Sequence, residues 1–312
     1  MPYPIEKKLV VGVSSNALFD LQKEDAIFHN EGLEAFKQYQ NENRNVLLEK
    51  GLAYPFIRRF LNINSIFPDK QPIEVVILSK NSPETGLRIF NSIKQYNLNI
   101  SRAAFTSGRS PFEYIPAYNI SLFLSTDDTD VKNAIERNYP AGRILNTNIY
   151  DNEDDPELRL AFDFDGVLAD DSAEQVYQKL KNIDEYFKHE SENSNKPLEA
   201  GLLLGFLQKI SFFQKLENKV LQNNPQYKKV LRTAIITARN APAHERAINT
   251  LTHWDVNVDE IFFLGGIEKR RILEILKPHL FIDDQIDHLD KSLSDIPLVH
   301  IPFGLINKVK SE

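Results

Sequence analysis

Two aspartates one residue apart, Asp163 and Asp165, close the apolar run of "LRLAFDFDG". Side chains alternate along a strand, so carboxylates two residues apart approach the same side where the strand ends. Two close carboxylates repel and call for a cation or a shared proton. Their spacing suits a magnesium site and a nucleophile beside an acid/base group. A lone Asp-x-Asp also serves as a helix cap or a solvated turn, so the rest of the set matters. Downstream, "AIITARN" ends a strand at Thr237, whose hydroxyl can donate to a phosphoryl oxygen. "FFLGGIEKRRILEIL" then places Lys269 near a helix start, with Arg270 and Arg271 beside it as alternative cations. "HLFIDDQIDHLD" ends a further apolar run at Asp283 and Asp284, a pair whose burial would be costly without a partner such as Mg²⁺. Nucleophile, proton donor, oxyanion-binding hydroxyl, cation and metal ligands in this order fit phosphoryl transfer, where positioning and electrostatics supply most of the catalysis.

Elements must carry these residues to one place. The second half reads as strands "LRLAFD", "LRTAIIT", "DEIFFLG" and "PHLFID", with a long helical excursion over 172–229 after the first. An insertion there, just past a candidate active-site strand, makes a helical lid. The first half alternates in the same way, through "KLVVGV", "IEVVILS", "SRAAFTSG" and "YNISLFLST". The acidic "IYDNEDDPE" at 149–157 is expected to connect the halves. The layout is α/β with a mostly parallel sheet, whose C-terminal strand edge is where ligands gather.

The halves also echo each other. "VVILSKNSP" parallels "TAIITARNAP", "RIFNSI" parallels "RAINTL", "AAFTSG" parallels "IFFLGG", and "ISLFLST" parallels "HLFIDD". Laying "VGVSSNALF" over "LAFDFDGVL" sets Ser14 and Asn16 where the second half has Asp163 and Asp165. On this reading the second copy carries the chemistry and the first has lost it.

Composition narrows the function classes. The chain has 312 residues, 42% hydrophobic and 26% charged, enough for a sizeable core or two domains. A net charge of −7 argues against a grip on polymeric nucleic acid or an anionic membrane. The absence of cysteine excludes disulfides, zinc-thiolate sites and thiol catalysis, and fits a reducing, cytoplasmic setting. No apolar run approaches a membrane span and no signal peptide opens the chain. The seven histidines show no metal-binding spacing and read as surface or packing residues.

"DFDGV", "IITAR", "IEK" and "FIDD" resemble the four motifs of the haloacid-dehalogenase-like phosphatases. A narrower resemblance, to the cytosolic type I 5'-nucleotidases, covers nearly the whole chain through "VSSNALF", "GLRIFNSI", "KQYQNEN", "HESENSNKPLEAG", "GLLLGFL" and "LKPHLFIDDQIDHL". The first motif departs from the DGD-Ala wording common there, but keeps both aspartates. The resemblance implies a Rossmann-like catalytic core over 158–171 and 230–312, a helical cap over 172–229, and an N-terminal α/β half over 1–150 as a degenerate copy. It further implies Mg²⁺-dependent hydrolysis of nucleoside 5'-monophosphates, AMP or a relative. Asp163 would attack phosphorus, Asp165 would serve as acid and then base, and Thr237 and Lys269 would bind the phosphoryl oxygens. Asp163, the Asp165 carbonyl, and Asp283 or Asp284 would hold the metal, with Asp284 preferred.

Base recognition is expected from the lid or the N-terminal half, with Asn81, Arg109 and Phe112 as candidates against a plain loop role. A phosphatase or phosphotransferase for a nonnucleotide ester, or a catalytically weak nucleotide-binding regulator, are the competing readings. Oligomeric state is left open.

Overall fold

The computed structural model describes residues 3–145, 151–290, 292–293, 295–304 and 307. It forms two compact units, Met1–Asn146 and Thr147–Glu312. The connector expected at 149–157 lies partly outside the described residues.

In the first unit, β1 (Leu9–Val13) leads through the short α1 (Ser15–Leu18) and β2 (Phe19–Asp20) to α2 (Gln22–Glu42). The chain returns through β3 (Glu49–Lys50) and α3 (Tyr54–Asn62) to β4 (Ile73–Ser79). Then follow α4 (Gly86–Gln95), β5 (Arg102–Phe105), β6 (Ile120–Ser125), α5 (Asp128–Glu136) and β7 (Ala141–Ile144). The long strands lie parallel in the order β7-β6-β1-β4-β5, and β2 pairs with β3 antiparallel. All of β1 and β4 is buried, as expected of a parallel sheet covered on both faces. Asp127 caps α5 by accepting from the Asp130 N–H. At Gly32, φ of +87° breaks α2 into two helical pieces.

The second unit has its long strands in the same spatial order, with the helices between them placed differently. It contains β8 (Leu158–Phe162), α6 (Ser172–Leu180), α7 (Ile183–Glu192), α8 (Leu204–Asn223) and β9 (Leu231–Thr237). It continues with α9 (His244–His253), β10 (Glu260–Phe263), α10 (Arg270–Leu276), β11 (Leu280–Asp283) and β12 (Leu298–His300). Its parallel order is β10-β9-β8-β11-β12. In each unit the first long strand is central, the next two lie on one side and the last two on the other. Side-by-side βα crossovers of this order leave a crevice at the C-terminal ends of the central strands. The chain is therefore α/β with a Rossmann-like layout.

The interval 172–229 holds three helices. Lys181, at φ 47°, ends α6, and the Asn182 side chain caps α7 by accepting from the Asp184 and Glu185 N–H groups. Helix α8 rests on the sheet: the Gln214 amide donates to Thr233 of β9 at 2.9 Å, and Phe206 meets Phe162 of β8. An isolated antiparallel bridge, Ala169 to Ala200, closes the base of the α6–α7 excursion.

Candidate active site

The strand ends of the second unit bring six residues singled out from the sequence to one edge. Asp163 follows β8, and its N–H donates to the Ile282 carbonyl of β11 at 2.8 Å. That bond sets Asp163 beside Asp283, the last residue of β11. Lys269 lies between them, 2.9 Å from Asp163 Oδ1 and 2.7 Å from Asp283 Oδ2. All three are buried. The sequence offers Lys269, Arg270 and Arg271 as the cation. Arg270 instead pairs at the surface with Glu274 and Asp290, and Arg271 is exposed. Thr237 ends β9, buried, and its hydroxyl accepts from the Arg239 N–H at 3.2 Å.

The carboxylates are crowded. Burial, opposed by the Lys269 ammonium and reinforced by Asp283 and Asp165, pushes the Asp163 carboxyl up to about 7. Burial together with Asp163 and Asp283 pushes Asp284 up to about 9. Burial also opposes the charge on Asp283, but Lys269 and His288 outweigh it and hold its pKa below the ordinary value. Burial favours neutral Lys269, yet the two aspartates beside it raise its pKa. The site thus holds more carboxyl groups than its one lysine can keep ionised.

A divalent cation fits this arrangement. Among the described residues Asp284 Oδ1 is buried without a hydrogen-bond partner, whereas its backbone carbonyl accepts from Asn307 at 2.9 Å. Gly166, at φ +73°, passes so close that a Cβ there would collide with Asp284 Oδ2. A glycine is required for the carboxylate to occupy that place. Ligand atoms of Asp163, Asp283 and His288 lie within 4.8 Å of one another. Lys269 already sits between two of these groups, so the orphaned Asp284 oxygen is the stronger pointer to a direct ligand. His288, expected at the surface or in packing, is 3.3 Å from Asp283 Oδ1 and lines the cleft.

That cleft, of about 180 Å³, opens over Asp163, Asp165 and Thr237. Helices α6 and α7 also line it, through Tyr177, Ile183, Tyr186 and Phe187. Tyr177 meets Tyr186 edge-on at 5.9 Å, and Tyr186 meets Phe187 at 5.9 Å. Asp165 is gripped by Arg239 in a fork, Nε to Oδ2 and Nη2 to Oδ1, both 2.7 Å.

A family model described as 5'-nucleotidase matches residues 1–308. The chain belongs to the 5'-nucleotidase family. A relative within it, human "Cytosolic 5'-nucleotidase 1B", is 32% identical over 302 residues, which is 93% of this chain and 48% of that protein. The chain thus spans about half the length of this curated 5'-nucleotidase relative. No solved structure matches this chain.

Asn81 and Arg109 lie in the first unit, and the cleft lining is drawn from the second. The Asn81 N–H donates to Ser79 Oγ at 3.1 Å, and the Arg109 carbonyl accepts from the Thr106 hydroxyl. Phe112 is buried under the Arg137 guanidinium. Sequence reasoning missed Arg239, Glu190 and Arg246. Arg239 stands two residues after Thr237, and that adjacency was the available signal. Glu190 sits among polar residues in "FKHESE" and looks like part of a solvated helix face, though it is fully buried.

Proposed function

We propose that the protein hydrolyses nucleoside 5'-monophosphates, AMP or a close relative, with Mg²⁺ as cofactor. The observation that carries this reading is the meeting of Asp163, Asp165, Thr237, Lys269, Asp283 and Asp284 at one strand edge, floored by an orphaned carboxylate oxygen. Family membership supports it.

Asp163 is the nucleophile. Its contacts with Lys269 and with the Phe164 N–H both fall on Oδ1, and neither engages Oδ2. A carboxylate oxygen attacks phosphorus, the bond from phosphorus to the 5'-oxygen breaks, and the leaving oxygen takes a proton from Asp165. The nucleoside departs and an aspartyl-phosphate remains. Asp165 then accepts a proton from water, the water oxygen attacks phosphorus, and the bond to Asp163 breaks to free phosphate. Thr237 and Lys269 hold the phosphoryl oxygens throughout. Asp163, the Asp165 carbonyl and Asp284 would hold Mg²⁺, with Asp283 fixed by Lys269 and His288 at its side. The metal would supply positive charge against the phosphoryl oxygens.

The aromatic cap wall of Tyr177, Tyr186 and Phe187 is the natural face for a nucleobase, since stacking tolerates any base. Asn81 and Arg109 have no comparable support and drop to second rank. The first unit is read as a degenerate copy of the catalytic one, supported by the common strand order. A cytoplasmic setting is proposed from the cysteine-free sequence and the relative's name. Among the described residues no helix is long and apolar enough to cross a membrane.

The test is phosphate release across nucleoside 5'-monophosphates and sugar phosphates, with and without Mg²⁺. Asp163→Asn is expected to lower kcat by about 10³-fold or more with the fold retained. A fully active Asp163→Asn enzyme rejects the nucleophile, and a large preference for sugar phosphates rejects the substrate class.

A further inference from the structure

The fork from Arg239 to Asp165 is one end of a longer chain of charges. The third guanidinium nitrogen of Arg239, Nη1, donates to Glu190 Oε2 at 2.6 Å. Glu190 Oε1 accepts from Arg246 Nη1 at 2.8 Å. Glu190 belongs to cap helix α7, whereas Arg239 and Arg246 belong to the core beneath. A carboxylate with no exposure is costly to place there, and two arginines compensate it.

The first unit shows which of these contacts the fold itself needs. Arg88 Nε donates to the Val46 carbonyl at 2.9 Å, as Arg246 Nε does to Lys196 at 2.9 Å. Asn91 reaches the Arg44 carbonyl at 2.8 Å, and Asn249 reaches Ser194 at 3.0 Å. The Leu48 N–H meets Ser92 Oγ at 3.1 Å, and the Leu198 N–H meets Thr250 Oγ1 at 3.1 Å. These contacts fasten the returning chain to α4 and α9 alike, and both units keep them.

The charges at the strand edge are not kept. Ser14 matches Asp163, because its N–H donates to Leu124 of β6 at 2.9 Å as that of Asp163 does to Ile282 of β11. Ser15, rather than the Asn16 suggested by the sequence, faces Asn81, at 3.5 Å. Where the second unit has Asp165, Arg239 and Glu190, the first has Ser15, Asn81 and Gln40. Arg88 survives there, donating to Gln40 at 3.3 Å and pairing with Glu24 at 2.5 Å. Three charges are absent together while the fastening around them remains.

We infer that Glu190 and Arg239 are positioning residues for Asp165, so that the acid/base carboxylate is aligned only when the cap helix carrying Glu190 is seated. Nη1, the one guanidinium nitrogen that Asp165 does not use, donates to the charged Glu190 carboxylate at 2.6 Å and to the Ala243 carbonyl at 3.2 Å, so Glu190 is its shorter and only charged partner among the described residues. With that nitrogen held, the planar fork has a single orientation and so has the carboxylate in it. This inference rests on the nucleotidase reading for the identity of the leaving group.

The test compares Glu190→Gln and Arg239→Lys with the unaltered enzyme on AMP and on p-nitrophenyl phosphate. Nitrophenolate leaves without a proton, so aspartyl-phosphate formation from that substrate needs no acid. The expected result is a kcat on AMP lowered about 100-fold in each variant, with KM changed less than about threefold. The nitrophenolate burst is retained, while its steady-state turnover falls because water attack still needs a base. Gln40 shows that an amide fits the matching place, and the melting temperature of Glu190→Gln checks folding. Adding Glu190→Gln to Asp165→Asn is expected to cost nothing further. Unchanged kinetics, an equal loss of burst and turnover, or full additivity with Asp165→Asn would overturn the inference. A wild type inert toward AMP but active on p-nitrophenyl phosphate would sink the nucleotidase reading alone, because the ratio of burst to turnover still decides the role of Glu190.

Discussion

At the residue scale the site depends on charges that would be intolerable singly. Removing Lys269 leaves Asp163 and Asp283 buried side by side and strips a positive charge from the proposed phosphoryl position. Lys269→Ala is therefore expected to lower kcat/KM about 10²- to 10³-fold in a phosphate-release assay. Gly166→Ala meets two obstacles, the positive φ and the Asp284 carboxylate in the path of the new methyl. A shift of about 1 Å in that carboxylate is expected to cost about 100-fold in kcat/KM, with Mg²⁺ dependence moved to higher concentration. The aspartates, Thr237 and Lys269 were legible in the sequence because each ends or follows an apolar run. Arg239, Glu190 and Arg246 were not, since their meaning lies in pairing across elements distant in the chain. His288 escaped for a related reason: its partner Asp283 is near in sequence, but only the bend after β11 turns the ring toward it.

At the scale of elements, the alternation of strands and helices could be read from apolar runs and their spacing. The short pair β2–β3 could not, because two-residue strands leave no periodicity. Capping can be tested directly on α5. Asp127 accepts from the Asp130 N–H at 3.0 Å and meets Lys80 at 2.7 Å. Asp127→Ala is expected to destabilise the first unit by about 1 kcal/mol in urea denaturation. Burial opposes the Asp127 charge, but Lys80 and the helix N–H groups outweigh it and hold its pKa below the ordinary value. A group depressed in this way stabilises the fold above its unfolded pKa, and that contribution is lost as pH falls through the folded value. The cost of Asp127→Ala should therefore shrink in acid below about pH 4. A cost unchanged down to pH 2 would assign it to packing.

At the scale of the whole molecule, a cation that binds the folded site and not the unfolded chain must raise stability. Mg²⁺ at about 100 times its Kd is expected to add about 2.7 kcal/mol, seen as a rise of several degrees in Tm. Asp284→Asn should abolish that rise if its orphaned oxygen is a ligand. The closures at the base of the helical excursions have a consequence of another kind. Phe19 pairs with Lys50 and Asp20 with Glu49 in one unit, and Ala169 bridges Ala200 in the other. Each excursion thus returns to within one strand spacing of its departure, so the sheet never feels how long the detour was. Doubling such a detour costs only about 0.6 kcal/mol of closure entropy. The tip at Lys181 is accordingly a place where insertions can accumulate cheaply, letting descendants of this scaffold reshape what they admit while every strand stays in register.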